Sequence, residues 1–424
     1  MVKEDLPEKM KKEGGTFAPF KIQQFRWLYG SNMAFFFAMH AQGVVRAWLA
    51  FKLTDSEFAL GIVMFVVAVP MLFLSPIGGV VADRKDRRNV IMLGQSIIFA
   101  ADLSIFLLLF FGRLEFYHLL ISASINGCVF PFIMPARNAI VVNVVGKPRL
   151  ERAIALNMAG INTTRVLGPA VAGLLIDITG APNTYMMGVV LYALAVTSMT
   201  QVEHSYPSAE MRALSPKDSI VEGFRYMIDN RLILILLLFG LIPLFLAMPF
   251  QNLLVVFAEK IWNVGSRGFG LLSAAMGVGG IVGSFYVAMI RHSAGRLRRM
   301  MISMLGFGAL LVGFALSPWF LLGIFLVFLA NACVSVYNTL NNTAIQLLIP
   351  DNVRGRVTSF LMMSFSLPLL GTLPVAAVAE VYGAPLAVGV ASVLAVAIGL
   401  LFFLASSKLR NMDESIEKVM GKDF

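Results

Sequence analysis

Charge is what this sequence has least of. Of 424 residues, 14% are charged and 58% are hydrophobic, with a mean hydropathy of +0.80. A water-soluble domain carries roughly 25% charged residues. The shortfall leaves too few charges to wet a surface of this size and excludes a soluble globular chain. The short motifs of common chemistries are missing too. There is no phosphate-cradling Gly-Lys-Ser/Thr loop, so no ATPase site is expected. No His-Glu-x-x-His and no paired cysteines offer a metal site. The two cysteines, Cys128 and Cys333, lie inside apolar runs. They read as free thiols packing as small hydrophobes and say nothing of redox compartment. Met1 to Gly15 mixes Lys with Glu and has no apolar core, unlike a cleavable signal peptide. Gly421-Lys422-Asp423-Phe424 carries no lipidation motif. The expectation is a chain that is not an enzyme and holds no cofactor.

Long apolar runs dominate what is present. A hydrocarbon core about 30 Å thick needs about 20 helical residues to cross. Runs of that order occur at 25–53, 57–82, 89–111, 116–144, 152–178, 182–201, 231–259, 267–290, 298–317, 319–348, 356–380 and 384–406. A membrane β-barrel would show alternating segments of about 10 residues instead. The fold class expected is an all-α membrane protein of twelve transmembrane helices. The net charge of +10 does not point to nucleic acid, because the basic residues sit in alternate loops. Arg84, Lys85, Arg87 and Arg88 follow span two; Lys147, Arg149 and Arg152 follow span four. Arg291, Arg296, Arg298 and Arg299 follow span eight; Arg354 and Arg356 follow span ten. Cation-rich loops stay in the cytoplasm, so both termini are expected there, in a multi-pass cell-membrane protein.

Val202 to Arg231 is the one long polar segment. Ser215-Pro216 followed by Ile220, Phe224, Met227 and Ile228 reads as an amphipathic helix on the membrane surface. Residues 202–230 are therefore a linker between bundles 1–201 and 231–424. The two halves also repeat. Asn126-Gly127-Cys128-Val129 matches Asn331-Ala332-Cys333-Val334 at an offset of 205, as do Arg149 with Arg354 and Pro169 with Pro374. Repeated halves place a substrate site between them, near the midplane.

Gly78-Gly79-Val80-Val81-Ala82-Asp83-Arg84-Lys85-Asp86-Arg87-Arg88, between spans two and three, resembles the signature loop of the major facilitator superfamily. The segments from Trp48 to Ser56, Glu222 to Tyr226 and Ile345 to Val357 resemble its drug-efflux, macrolide-efflux and enterobactin-exporter-like branch. The resemblance implies a latch of Gly79, Asp83, Arg84, Arg87 and Arg88 that closes the cytoplasmic side. Span five carries Arg165-Val166-Leu167-Gly168-Pro169-Ala170-Val171-Ala172-Gly173, similar to the exporter Gly-Pro motif at Gly168, Pro169 and Gly173. Spans one, four, seven and ten are expected to line the cavity. The candidates so implied are Asn32, Phe36, Met39 and Arg46; Asn126, Phe130, Met134 and Arg137; Phe245, Met248, Gln251 and Asn252; and Asn331, Ser335, Asn338 and Asn342, with Arg165 from span five.

Charges within hydrocarbon cost about 2.5–3.5 kcal/mol each on insertion scales, so each needs a reason. Asp102 is the one carboxylate placed well inside a span. It is either a proton-coupling group or a fixed counter-ion for Arg46, Arg137 or Arg165. His40 has the intrinsic pKa for coupling, or it is a polar wall residue. Asp177 and Glu380, at span ends, are expected in solvent. The whole reads as a monomeric alternating-access exporter of a small amphipathic organic substrate, driven by protons and embedded in membrane lipid. A carrier of lysophospholipid between leaflets, whose headgroup the arginines would suit, stays open. So does a receptor or assembly partner that transports nothing.

Overall fold

The structure is a computed structural model, and it describes residues 15, 17–206, 225, 228–290, 295–349, 366–414 and 416. The described residues form helices and turns without a β-strand. In hydrocarbon every backbone N–H and C=O must be satisfied within its own segment, which a helix does. Twelve long helices follow in order. The first bundle holds α1 (Gln23–Thr54), α2 (Glu57–Ala82), α3 (Arg87–Phe110), α4 (Phe116–Val145), α5 (Leu150–Thr179) and α6 (Ala181–Thr200). The second holds α7 (Arg231–Ile261), α8 (Gly265–Met289), α9 (Arg296–Ala315), α10 (Phe320–Leu348), α11 (Leu367–Tyr382) and α12 (Ala384–Ala405). Ten of the twelve are long and apolar enough to cross a membrane. Where both ends are described, the helices fall within two residues of the runs read from the sequence. Of the amphipathic-helix reading, Ser215, Pro216, Ile220, Phe224 and Met227 lie outside the described residues, as does the Pro350–Val357 segment.

Within the first bundle α1 packs on α5 and α6, and α4 on α2 and α3. Within the second α10 packs on α8 and α9, and α12 on α9 and α11. The seam between bundles is made by α5 against α8 and α2 against α11. Glycine brings these helices together. A Cβ on Gly173 would stand 2.7 Å from the Gly270 Cα, and one on Gly61 2.8 Å from the Ala376 Cβ. Gly78 plays the same part inside the first bundle, against the Pro131 carbonyl of α4, whereas Gly79 faces open space. Of this glycine pair, Gly78 makes the close approach.

Each bundle has its own aromatic core. Phe35, Tyr185 and Tyr192 are fully buried in the first, and Phe250, Phe257, Phe307 and Phe314 in the second. The seventh helix is interrupted. Pro243 and Pro249 break it at Ala247–Pro249, and it ends in a π turn at Phe257–Ile261. The break aims Gln251 and Asn252 towards the seam, and the wide last turn presents Glu259 and Lys260 to the other bundle.

Candidate functional site

A cavity of about 440 Å³ lies on the seam. Five helices line it. α1 gives Phe36, Met39, His40, Gly43, Val44 and Ala47, and α2 gives Met64. α5 gives Ile161, Asn162, Arg165 and Pro169, α7 gives Gln251 and Asn252, and α8 gives Phe269, Ser273 and Met276. Rings and thioethers form its apolar surface, and methionine adapts to irregular shapes. The polar groups are His40, Arg165, three amides and one hydroxyl, with no carboxylate among the described lining residues. Gly168 positions two of them. A Cβ there would lie 3.0 Å from the His40 Cβ and 3.2 Å from the Ala41 N. α5 thus rests on α1 at this point, and Arg165, one turn earlier, shares a wall with His40. The His40 Nε2 is buried without a hydrogen-bond partner, and its ring stacks on Phe36 with centroids 6.4 Å apart.

Of the candidates expected in the cavity, Phe36, Met39, Arg165, Gln251 and Asn252 line it, together with His40. The others lie elsewhere. Arg46 points into the first bundle, where its Nη2 is 3.3 Å from the Asp102 Oδ1. The same oxygen accepts from the Ser122 hydroxyl at 3.1 Å and the Tyr185 hydroxyl at 3.4 Å. Asp102 is fully buried there. Of the two readings of Asp102, this geometry matches the counter-ion of Arg46. Arg137 is buried between the Phe35 and Phe36 rings, 4.2 and 5.4 Å from their centroids. It donates to Asn32, which in turn donates to Asn157 at 2.9 Å. Asn126 bonds back to the Ser122 carbonyl, and Asn331 to that of Val327. Ser335 holds α10 on α8 through the Gly280 carbonyl at 2.7 Å. Met248 is in the core, Phe245 is on the exposed face, and Phe130, Met134 and Asn338 are half-buried. Asn342 lines a second cavity of about 540 Å³ with Thr339, Thr343, Gln346 and Leu347.

The α10 candidates Asn331, Ser335, Asn338 and Asn342 are therefore divided among different partners, and neither α4 nor α10 reaches the seam cavity. Their places are taken by α2, α5 and α8. The α8 residues Phe269, Ser273 and Met276 were not legible as site residues. The sequence signal for them was the glycine spacing Gly270–Gly277, the face that α5 covers.

At the α1–α2 end the seam is shut by side chains. Glu259 accepts from the Trp48 Nε1 at 2.8 Å and the Lys52 Nζ at 2.6 Å. Lys260 reaches Glu57 at 3.1 Å and Asp55 at 3.3 Å. Glu380 is exposed, as expected, and also accepts from the Ser56 hydroxyl and the Phe58 N–H, both at 2.9 Å. It caps the first turn of α2 from the other bundle, where a carboxylate suits the helix dipole.

At the opposite end the α2–α3 loop is organised by Asp86 rather than Asp83. Asp83 is exposed, while Asp86 is buried as the N-cap of α3. Asp86 accepts from the Arg88 N–H at 3.1 Å, the Ser205 N–H at 3.0 Å and His204 Nδ1. Arg88 binds the last carbonyls of α6 at Thr200 and Met199, and its Nη1 lies 3.0 Å from the His204 Nε2. A guanidinium can only donate, so His204 accepts at Nε2 and carries its proton on Nδ1, towards Asp86. Arg87 donates to the Ala82 and Ala139 carbonyls. Arg87 at Ala82 and Arg88 at Thr200 thus cap the C-termini of α2 and α6, where cations are favoured. Although exposed on one side, Asp83 is partly desolvated by its neighbours, which raises its carboxyl above the ordinary value, and the Arg87 charge only partly offsets this. Burial would also raise Asp86, but the bonds from His204, Ser205 and Arg88 outweigh it and hold the group below the usual range.

Twelve helices in two bundles, with a cavity on their seam shut at one end, define a membrane carrier of the major facilitator kind. The chain belongs to the transmembrane secretion effector family of that superfamily, whose family model matches residues 14–421. Its relatives are transporters, not enzymes. It is 23% identical to the staphyloferrin A transporter of Staphylococcus aureus (strain NCTC 8325 / PS 47) over 399 residues, 92% of this chain and 98% of that one. It is 24% identical to the enterobactin exporter EntS of Escherichia coli O81 (strain ED1a) over 306 residues, 72% of this chain and 73% of that one. Among solved structures, the nucleoside transporter NupG matches with a TM-score of 0.72 at 16% identity, over 90% of this chain and 98% of that one. A bacterial homologue of the human lysosomal transporter Spinster, inward-facing and unoccupied, matches with a TM-score of 0.70 at 14% identity, over 95% and 98%. These likenesses carry the fold.

Proposed function

We propose that this chain is a cell-membrane exporter of a siderophore-like amphipathic organic molecule, working by alternating access. The observation that carries this is the seam cavity, part apolar and part polar, closed at the α1–α2 end by contacts between the bundles. Its volume of about 440 Å³ suits a ligand of drug size. Bundles 1–201 and 231–424 rock about it on the linker 202–230. The cation-rich loops put the α2–α3 end and both termini in the cytoplasm. The structure then stands in the inward-facing state. The staphyloferrin A and enterobactin relatives support the substrate class, and the family description and the exporter relative support the direction.

The driving ion is proposed to be the proton. What supports His40 for this role is its place in the cavity wall and an Nε2 that no hydrogen bond in the fold engages. Asp102 is screened from the cavity behind Arg46, Ser122 and Tyr185.

The test compares a deletion strain with an overexpressing strain under iron limitation, by assaying iron-chelating activity in medium and cells. Deletion should lower the medium pool and raise the cellular one. An unchanged distribution in both strains would remove the export reading. In proteoliposomes holding the same chelate, an imposed pH gradient should drive concentrative transport. His40→Gln should abolish that concentration while leaving downhill exchange. Concentration that survives in His40→Gln and fails in Asp102→Asn would return the coupling role to Asp102.

A further inference from the structure

The three arginines within the spans of the first bundle differ in what faces them. Arg46 has the Asp102 carboxylate, and Arg137 has two rings and an amide oxygen. Arg165 has neither. Among the described residues it makes no hydrogen bond or ion pair, and it is exposed to the seam cavity. Beside it, the His40 Nε2 is buried and has no hydrogen-bond partner. Among the described residues, the other polar groups of the wall are uncharged: Asn162, Gln251, Asn252 and Ser273. The one carboxylate deep in the bundle has its Oδ1 occupied by Arg46, Ser122 and Tyr185 and does not reach the cavity. A lone cation in a low-dielectric wall attracts anions and repels cations, and a guanidinium fork matches a carboxylate in two-point geometry.

Resting on the export reading above, we infer that the seam cavity is an anion-selective site in which Arg165, with His40 beside it, holds a carboxylate or similar anionic group of the substrate. The rest of the substrate packs on Phe36, Phe269 and the methionines. The amphipathic character of the wall sets the substrate's shape, and Arg165 sets its charge. Cationic amphiphiles, which a wall with an acid would favour, are excluded.

The test uses the full chain in lipid nanodiscs and three matched probes. These are 7-methoxycoumarin-4-acetate, its primary amide and its aminoethyl amide, which are anionic, neutral and cationic. Binding is read from coumarin fluorescence after subtraction of empty nanodiscs. The carboxylate should bind at least tenfold tighter than either amide. Arg165→Gln should erase that preference. Asn162→Asp, which sets an acid one turn before Arg165, should erase it too, by pairing within the wall. It serves where the Gln variant fails to assemble. Equal or tighter binding of the cationic probe, or a preference that survives both substitutions, overturns the inference. Lysophosphatidylglycerol below its micelle concentration distinguishes two sources of the anion. Displacement of the bound carboxylate assigns the site to a lipid headgroup, and no displacement assigns it to a soluble acid; either requires an anion site. The outcome is separable from the export reading. Export of a cationic compound would keep the transporter and remove this site, whereas carboxylate selectivity without export would do the reverse.

Discussion

Single charged residues are stabilised in this membrane chain by three different devices. Asp102 and Arg46 neutralise each other. Arg137 lies between aromatic faces, an arrangement worth about 2 kcal/mol when desolvated. Arg165 keeps access to the cavity. At the α2–α3 end, the acids Asp83 and Asp86 titrate in opposite senses. The Asp86 carboxyl is held low in the fold. It adds stability above the ordinary carboxylate value of about 3.9, and loses it as the pH falls through its lower folded value. Asp83 is held high, so the fold favours its protonated form and loses that contribution as the pH rises through the raised value. The segment at 202–206 hangs on Asp86 through His204 and Ser205. Its amides should therefore exchange faster as the pH drops below about 4, once corrected for intrinsic rates. A cap worth about 1 kcal/mol corresponds to roughly fivefold faster exchange. Asp86→Asn removes the titrating group at nearly constant size and should abolish the dependence. A dependence that survives would remove Asp86 as its cause.

At the scale of helices, the sequence was legible where the bilayer dictates the answer and less so where one helix must choose another. Run length and hydropathy placed the spans, because hydrocarbon thickness fixes them. The Gly168–Gly173 stretch was recognised, and both glycines sit at crossings, on α1 and α8. What did not follow was which helices line the cavity. The α10 candidates were expected in the cavity, yet the Ser335 hydroxyl bonds to α8 and the Asn331 amide to its own helix. The seam belongs to α5 and α8, since glycine on both sides lets their backbones meet. That is a pairwise property, absent from the periodicity of either helix. It can be tested. Gly173→Leu would drive a side chain into the α8 backbone at Ser266 and Gly270. Overpacking of this kind costs about 1–3 kcal/mol. The strain falls on the shut arrangement only. The variant should insert normally but populate the state open at the α1–α2 end, by about 5- to 100-fold more. Cross-linking yield between cysteines at Ser56→Cys and Val381→Cys, across that end, should drop accordingly; an unchanged yield would mean the crossing is not part of the closure.

For the molecule as a whole, alternating access requires that the closed end be strong enough to exclude solvent yet weak enough to open in each cycle. The α1–α2 end meets both conditions. Exposed ion pairs such as Lys52 with Glu259 are worth about 0–1 kcal/mol each. The Glu380 cap on α2 is of another kind, since it satisfies an N-terminal N–H that otherwise needs water, worth about 0.5–2 kcal/mol. Together these contacts amount to a few kcal/mol, the gap expected between two interconverting states. Removing Glu259 and Glu380 together should therefore tip the whole carrier. The reporter is Ser273→Cys in the cavity wall, in a chain whose Cys128 and Cys333 are replaced by alanine. With the closure intact, a membrane-impermeant maleimide added outside the cell should label it slowly. With Glu259→Ala and Glu380→Ala added, labelling should rise by about tenfold, which corresponds to about 1.4 kcal/mol. Raised salt should speed labelling of the intact closure, because it screens Lys52 and Lys260 from their partners, and should matter less in the double variant. If the reporter is labelled equally fast with and without the two acids, these contacts follow the closing of the seam and do not hold it. The α5–α8 glycine crossing would then be the element that keeps the carrier shut.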